Sequence, residues 1–249
     1  MVIVRKELLL VTPHGDIPYM FSRSPRRSLS VRINEAGNVK VAAPLKMSQS
    51  FIESFLKKKQ DWIFRKSREA KHRYETVRSK AFDHGQEFMF LGRKHRLEIS
   101  GNTSSRTRLK FDGDRWLVDI PRGLTDKEKR FCIKNELVSW YRGQAEELLG
   151  ARTFYFARIM GEEPLKVAVR AQKRLWGSCH SGTKSIHLNW QIILSPLSVV
   201  DYVIVHELCH LKVPNHSRKF WNLVAKYVPD YKNREKWLKD NAAEMGLPL

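Results

Sequence analysis

Residues 201–221 read DYVIVHELCHLKVPNHSRKFW, and this stretch decides how the C-terminal part of the chain folds. The dipeptide Ser195–Pro196 precedes it. A serine that can cap a helix, followed by proline in the first turn, predicts that a helix begins there. The apolar run Tyr202–Val205 predicts that this helix is mostly buried. Pro214 cannot continue a helix, so we expect the helix to end near Val213.

The predicted helix carries a histidine, a glutamate and a second histidine in the order HELCH. His206 and His210 are four residues apart, so both imidazoles project from one face and can bind one zinc ion at about 2.0–2.1 Å. Zinc lowers the pKa of a bound water, and Glu207 is placed to reach that water without binding the metal. The spacing therefore predicts a catalytic zinc site in which Glu207 is the general base.

Two histidines are too few for a catalytic zinc site, which usually takes three protein ligands. His216 is the first candidate for the third ligand. Pro214 ends the helix and Asn215 tolerates a left-handed backbone, so the chain can turn back toward the metal. His187, on a predicted strand, is the second choice. The remaining histidines lie outside the motif and are weaker candidates: His14, His72, His84, His95 and His180.

The chain has 46 Lys and Arg against 26 Asp and Glu, which gives a net charge of +20. Such a surface attracts nucleic acid and other polyanions, although the same charge can simply serve solubility. Three cysteines do not make a disulfide framework, which favours a reducing compartment. The start of the chain is a poor signal peptide, and its apolar runs are too short to span a membrane. We therefore expect a cytoplasmic protein that does not enter the membrane.

The first part of the chain has the alternation of strands. Residues 29–33 and 39–43 alternate apolar and polar side chains around a turn with Gly37, which predicts a β-hairpin. Ser48 then caps a predicted helix. Its apolar positions at helical spacing are Phe51, Ile52, Phe55, Trp62 and Ile63.

The polar face of that helix is strongly basic, with Lys57, Lys58, Lys59, Arg65, Lys66, Arg68 and Lys71. A solvent-exposed face is the simpler interpretation. A surface that binds nucleic acid or another polyanion is the alternative.

Strand patterns return over residues 81–121, and Thr125 then caps a long helix that runs to about Met160. Two more strands are predicted, Leu165–Arg170 and Ser185–Gln191. The sequence thus predicts an α+β fold in two regions. They are a β-rich N-terminal region with a basic helix, residues 1–121, and a zinc hydrolase domain, residues 122–249.

The chain resembles the YgjP-like metallopeptidase family, a relative of the SprT-like zincins. The motifs that carry the resemblance are WGSC at 176–179, IHLNW at 186–190 and HELCHL with NHSRKFW within 206–221. One departure is visible, because Leu175 stands where the family usually has an arginine, and Arg174 is one place earlier.

The resemblance implies a zincin-like domain, with His206, His210 and His216 as zinc ligands and Glu207 as the catalytic residue. In zincins, substrate lies along an edge strand beside the metal helix. The resemblance makes Ser185–Gln191 the candidate for that strand.

Three functions fit these features. The first is a zinc metallopeptidase that acts on a peptide or protein. The second is a zinc-dependent nucleotide phosphoanhydride hydrolase, because water activated by zinc attacks either bond; no glycine-rich phosphate-binding loop supports it. The third is a nucleic-acid-associated module with a structural zinc. Glu207 argues against this third function, because a purely structural site needs no such carboxylate.

Overall fold

The structure is a computed structural model that describes residues 5–78, 82–102, 106–172, 175–242 and 245. It has the predicted α+β organisation, with most of the strands in the first half of the chain and most of the helices in the second. Packing divides the chain into two units, and the division falls after residue 79.

The first unit contains a four-stranded sheet. Its strands are β1 Arg5–Leu10, β2 Ile17–Ser24, β3 Ser30–Ile33 and β4 Val39–Pro44. They lie in the order β1-β2-β4-β3, and only β2 and β4 are parallel. Val31 pairs with Val41 across an antiparallel β3–β4 ladder, and Gly37 in the connecting turn has a φ of +79°. The predicted hairpin is confirmed.

Helix α1, Gln49–Arg78, packs on this sheet. Ser48 caps it as predicted, since its hydroxyl oxygen accepts a hydrogen bond of 3.3 Å from the amide of Phe51. Ile52 and Ile63 are buried, whereas Phe51 is 56% exposed and Trp62 is 43% exposed. Helical spacing of apolar residues therefore does not place these two aromatic residues on the buried side of the helix. Each is rotated by about 120–140° around the helix axis from the buried Leu56, so the sheet does not cover them.

The second unit begins with another four-stranded sheet. Its strands are β5 Glu87–Phe90, β6 Arg93–Asn102, β7 Arg108–Phe111 and β8 Trp116–Pro121. They lie in the order β5-β6-β8-β7.

Helix α2, Asp126–Met160, follows. Thr125 and Glu128 form a capping box at its start, and Gly161 ends it with a left-handed φ of +65°. The hydroxyl of Tyr141 on α2 donates a hydrogen bond of 2.7 Å to the carbonyl of Met89 on β5.

Strands β5–β8 thus share a core with α2, which explains why packing divides the chain after residue 79. The boundary predicted from the sequence, between residues 121 and 122, instead marks the change from strand-rich to helix-rich sequence. It stays a prediction.

Besides two short 3₁₀ helices, Ser181–Thr183 and Trp190–Leu194, the rest of the second unit holds a small sheet and three α-helices. They are β9 Lys166–Arg170, β10 Gly177–His180, β11 Ser185–Asn189, α3 Leu197–Lys212, α4 Arg218–Tyr227 and α5 Tyr231–Asn241. The described part of the chain has no helix that is both long and apolar enough to cross a membrane.

The order of this small sheet corrects the predicted substrate strand. The order is β10-β11-β9, so β11 is the central strand, paired antiparallel with β10 and parallel with β9. Its backbone groups face partners on both sides, and Ser185–Gln191 is not an edge. Strand β10, which the sequence pattern did not predict, is the edge strand that packs near α3.

The turn between β5 and β6 holds the start of α3. The Leu91 amide donates to the Ile193 carbonyl at 2.8 Å, and the Gly92 amide donates to the Leu194 carbonyl at 3.2 Å. Ser195 does not cap α3, contrary to the prediction. Its buried hydroxyl donates to the Ile192 carbonyl at 2.6 Å, and the cap residue is the following proline, Pro196.

Glycine is required at position 92 for two separate reasons. Its φ is +80°, and an added Cβ would lie 2.6 Å from the Cγ of Pro196. Gly113 also has a positive φ, +103°, but a Cβ there meets nothing within 4 Å. Comparing an alanine substitution at the two positions therefore separates the cost of backbone strain from the cost of contact with Pro196 at the start of α3.

We predict that Gly92→Ala destabilises the protein more than Gly113→Ala does. Positive φ alone costs about 1–3 kcal/mol in each variant. Crowding against Pro196 adds a further loss of about 1–3 kcal/mol at position 92. Urea denaturation of both variants measures the difference, and equal losses would show that the turn does not hold the start of α3.

Candidate metal centre

Three imidazoles meet where α3 ends. His206 and His210 lie one turn apart on α3, and His216 lies in the loop that leads to α4. One ring nitrogen from each falls within 4.8 Å of the others, and the Nε2 atoms of His206 and His216 are 3.1 Å apart. His187, the second choice for the third ligand, is not in this cluster. Of the residues that the structure describes, these three alone form a group suited to a metal ion.

The geometry and chemistry of this cluster fit zinc. Tetrahedral zinc with bonds of about 2.0–2.1 Å places its nitrogen ligands about 3.3 Å apart, close to the 3.1 Å between the Nε2 atoms of His206 and His216. The ring of His210 is also held in the required tautomer. Its Nδ1–H donates to the carbonyl of Val213 at 3.1 Å, which leaves Nε2 free to bind a metal.

Burial favours the neutral form of two of these rings, His206 and His210. Burial, with smaller contributions from His210 and His216, lowers the pKa of His206 to about 3. Burial also lowers the pKa of His210. A neutral imidazole is the form that binds metal.

Phe220 on α4 supports all three rings. It is fully buried, and its ring centroid lies 4.9 Å from that of His206, 4.4 Å from that of His210 and 4.9 Å from that of His216. Sequence reasoning assigned Phe220 no role. The available signal was its spacing, four residues after His216 in NHSRKFW.

Trp221 extends this aromatic packing outward. Its ring stacks on His216 at 5.7 Å and on Tyr231 of α5 at 5.1 Å. It is partly buried against the core, and Trp190 is almost completely buried. We therefore interpret both tryptophans as packing residues.

Glu207 is buried beside the cluster, with 6% of its surface exposed. Burial raises the pKa of its carboxyl group to about 8. Strand β10 passes directly against this side chain. A Cβ added to Gly177 would lie 2.7 Å from both Cγ and Oε1 of Glu207, so only glycine fits there without moving the carboxylate.

Other residues near the site have structural roles. Asn189 donates to the carbonyls of Gln172 at 2.8 Å and Leu175 at 3.1 Å, and so holds the segment before β10. Leu175 itself is 56% exposed, and Arg174 lies outside the described residues. Burial raises the pKa of the Cys179 thiol to about 11, which supports packing over a nucleophilic role.

The turn that brings His216 back does not use a left-handed residue. The non-glycine residues of positive φ in the described ranges do not include Asn215, so that prediction is wrong. Its side-chain oxygen instead accepts a hydrogen bond of 3.2 Å from the amide of Ser217, which shapes the turn through a side chain.

Comparison with known proteins identifies a family. The family model described as YgjP-like, metallopeptidase domain, matches residues 27–241. No curated protein matches the chain. Among solved structures, the metallopeptidase zymogen of Pyrococcus abyssi abylysin is 22% identical, with a TM-score of 0.36, over 40% of this chain and 99% of that chain. A structural likeness of that size adds nothing to the family match.

The contact between Gly177 and Glu207 can be tested by a double-mutant cycle. We predict that Gly177→Ala lowers the free energy of unfolding by about 1–3 kcal/mol, because an added methyl crowds the buried carboxylate. In a Glu207→Ala background the same change should cost little. Chemical denaturation of the four proteins measures the coupling.

Gly150→Ala is the matched control, since a Cβ there meets nothing within 4 Å. Its effect should be the same in both backgrounds. Additive effects of the changes at positions 177 and 207 would disprove the contact.

Proposed function

The chain belongs to the YgjP-like metallopeptidase family, and from this premise we propose that it is a zinc-dependent peptidase. In this proposal His206, His210 and His216 hold the zinc ion and Glu207 is the general base. The observation that carries the proposal is the convergence of three imidazoles, one nitrogen of each lying within 4.8 Å of the others, next to a buried carboxyl group.

When bound, zinc would act as a Lewis acid that polarises a carbonyl and makes water more acidic. The chain's own residues supply the proton transfer. Glu207 follows His206 on α3, and its Oε1 lies on the side of β10. We infer that this carboxylate takes a proton from the attacking water and passes it to the nitrogen of the departing amine.

The high pKa of Glu207 has a consequence for this role. A carboxyl group with a pKa of about 8 holds its own proton at neutral pH and cannot accept another. A nearby cation favours the ionised form. A metal ion held by the three histidines would be such a cation, and it would convert Glu207 into a base.

Strand β10 is the part of the site that we expect to position the substrate. An extended peptide can add to the open edge of a sheet through main-chain hydrogen bonds. Strand β10 is such an edge, and it begins at Gly177, against the Glu207 side chain. A peptide paired there would have its backbone beside the proposed base. This strand replaces Ser185–Gln191 in the proposal.

We predict that Glu207→Gln retains zinc and the folded state but loses most of its peptidase activity. Glutamine is nearly the same size and cannot accept the proton, so the rate should fall by about 10²–10⁴-fold. Cleavage of a casein substrate by zinc-loaded protein measures the loss, and metal analysis checks the zinc.

The same assay should include a nucleoside triphosphate. Turnover of the triphosphate in place of casein, abolished by Glu207→Gln, would replace the peptidase proposal with phosphoanhydride hydrolysis. Casein cleavage by Glu207→Gln at the wild-type rate would remove Glu207 from the mechanism.

A further inference from the structure

Trp62 on helix α1 has an unusual set of neighbours. Residues three and four positions away lie next to a residue on a helix surface. For Trp62 these positions are Lys58, Lys59, Arg65 and Lys66, so basic residues occupy all four. The indole is 43% exposed, and all four basic side chains are exposed.

The surroundings of Trp62 remain positive after the two nearby acids, Asp61 and Glu69, are counted against the four basic residues. Asp61 lies 3.4 Å from His14. Glu69 contacts Lys66 at 2.6 Å and Arg65 at 3.8 Å, and all three side chains are substantially exposed. Exposed pairs of this kind contribute little and are readily exchanged for another anion. Within the described residues, no ion pair engages Lys58 or Lys59. Residues 1–79 contain 17 Lys and Arg against seven Asp and Glu, so this charge continues across the first unit.

The apolar face of α1 is already used. Ile52, Leu56 and Ile63 are fully buried against the sheet of the first unit. A helix that lies in a membrane surface needs a broad apolar face of its own. Trp62 instead offers a single flat ring among cations, which is a poor match for a lipid surface.

A flat aromatic ring enclosed by cations matches the alternating chemistry of a single-stranded nucleic acid. Bases stack on aromatic side chains, and Lys and Arg bind the phosphates on either side. Neighbouring positions on the helix are about 5–6 Å apart between Cβ atoms, within reach of long basic side chains. We propose that Trp62 and its four basic neighbours bind single-stranded nucleic acid, with one base stacked on the indole. This surface does not depend on the proposed peptidase activity.

The test is fluorescence anisotropy with a labelled oligothymidylate of about ten nucleotides, within the usual site size, and the full-length protein. Trp62→Ala should weaken binding by about tenfold to a hundredfold, through loss of stacking. Trp62→Phe, which keeps a ring, should restore most of the affinity. An abasic oligomer of the same length keeps the phosphates and removes the bases, so its affinity should not respond to Trp62→Ala.

Phe51 offers a matched control on the same helix. It is 56% exposed, and the positions three and four residues away carry no charge: Met47, Ser48, Ser54 and Phe55. Phe51→Ala should leave the affinity unchanged. Replacing Lys58 and Lys59 together by Gln should reduce the salt dependence of log K by about 1.4, which is two phosphate contacts on a single strand.

Three results would overturn the proposal. One is unchanged oligothymidylate affinity in Trp62→Ala, with the fold intact by circular dichroism. Another is an equal loss on the abasic oligomer, which would reduce the surface to simple charge attraction. The third is Trp62-dependent binding to vesicles of anionic phospholipid without Trp62-dependent binding to the oligonucleotide.

Discussion

The cluster of three histidines in the second unit is packed around one buried phenyl ring. Phe220 packs against the rings of His206, His210 and His216 at once, although two lie on α3 and one on a loop. Three imidazoles whose nitrogens lie this close together cannot all be satisfied by hydrogen bonds among themselves. In our proposal, a cation at their centre would satisfy them together. Helix α4 packs Phe220 against all three rings and so stabilises an arrangement that α3 alone could not form.

The rest of the second unit holds this centre in place. The β5–β6 turn binds the segment before α3 through Leu91 and Gly92, and Asn189 fastens the segment before β10. Strand β10 then passes so close to Glu207 that glycine is needed at position 177. These contacts confine the carboxylate from the sheet side while Phe220 confines the imidazoles. Positioning of this kind is what acid–base chemistry requires of a protein.

Features set by local chemistry could be predicted from the sequence. Thr125 caps α2 through its own side chain and Gly161 ends it with a left-handed backbone, so its bounds followed from neighbouring residues. Features set by packing partners could not. Helical spacing identified Phe51 and Trp62 as apolar positions of α1. It did not show that the sheet covers only a narrow face of this helix, which leaves both residues exposed. The order of β10 and β11 depends on which strand takes the middle, and the pattern within each strand does not encode that. The support from Phe220 likewise depends on how α4 packs against α3.

The central claim is that the three histidines bind a single zinc ion together, and X-ray absorption at the zinc edge of the zinc-loaded protein tests it most directly. The account predicts three imidazole nitrogens at about 2.0–2.1 Å with no sulfur ligand, and two imidazoles after His216→Ala. A sulfur ligand at about 2.3 Å, the distance of a zinc–cysteine bond, would contradict it. So would a spectrum that His216→Ala leaves unchanged.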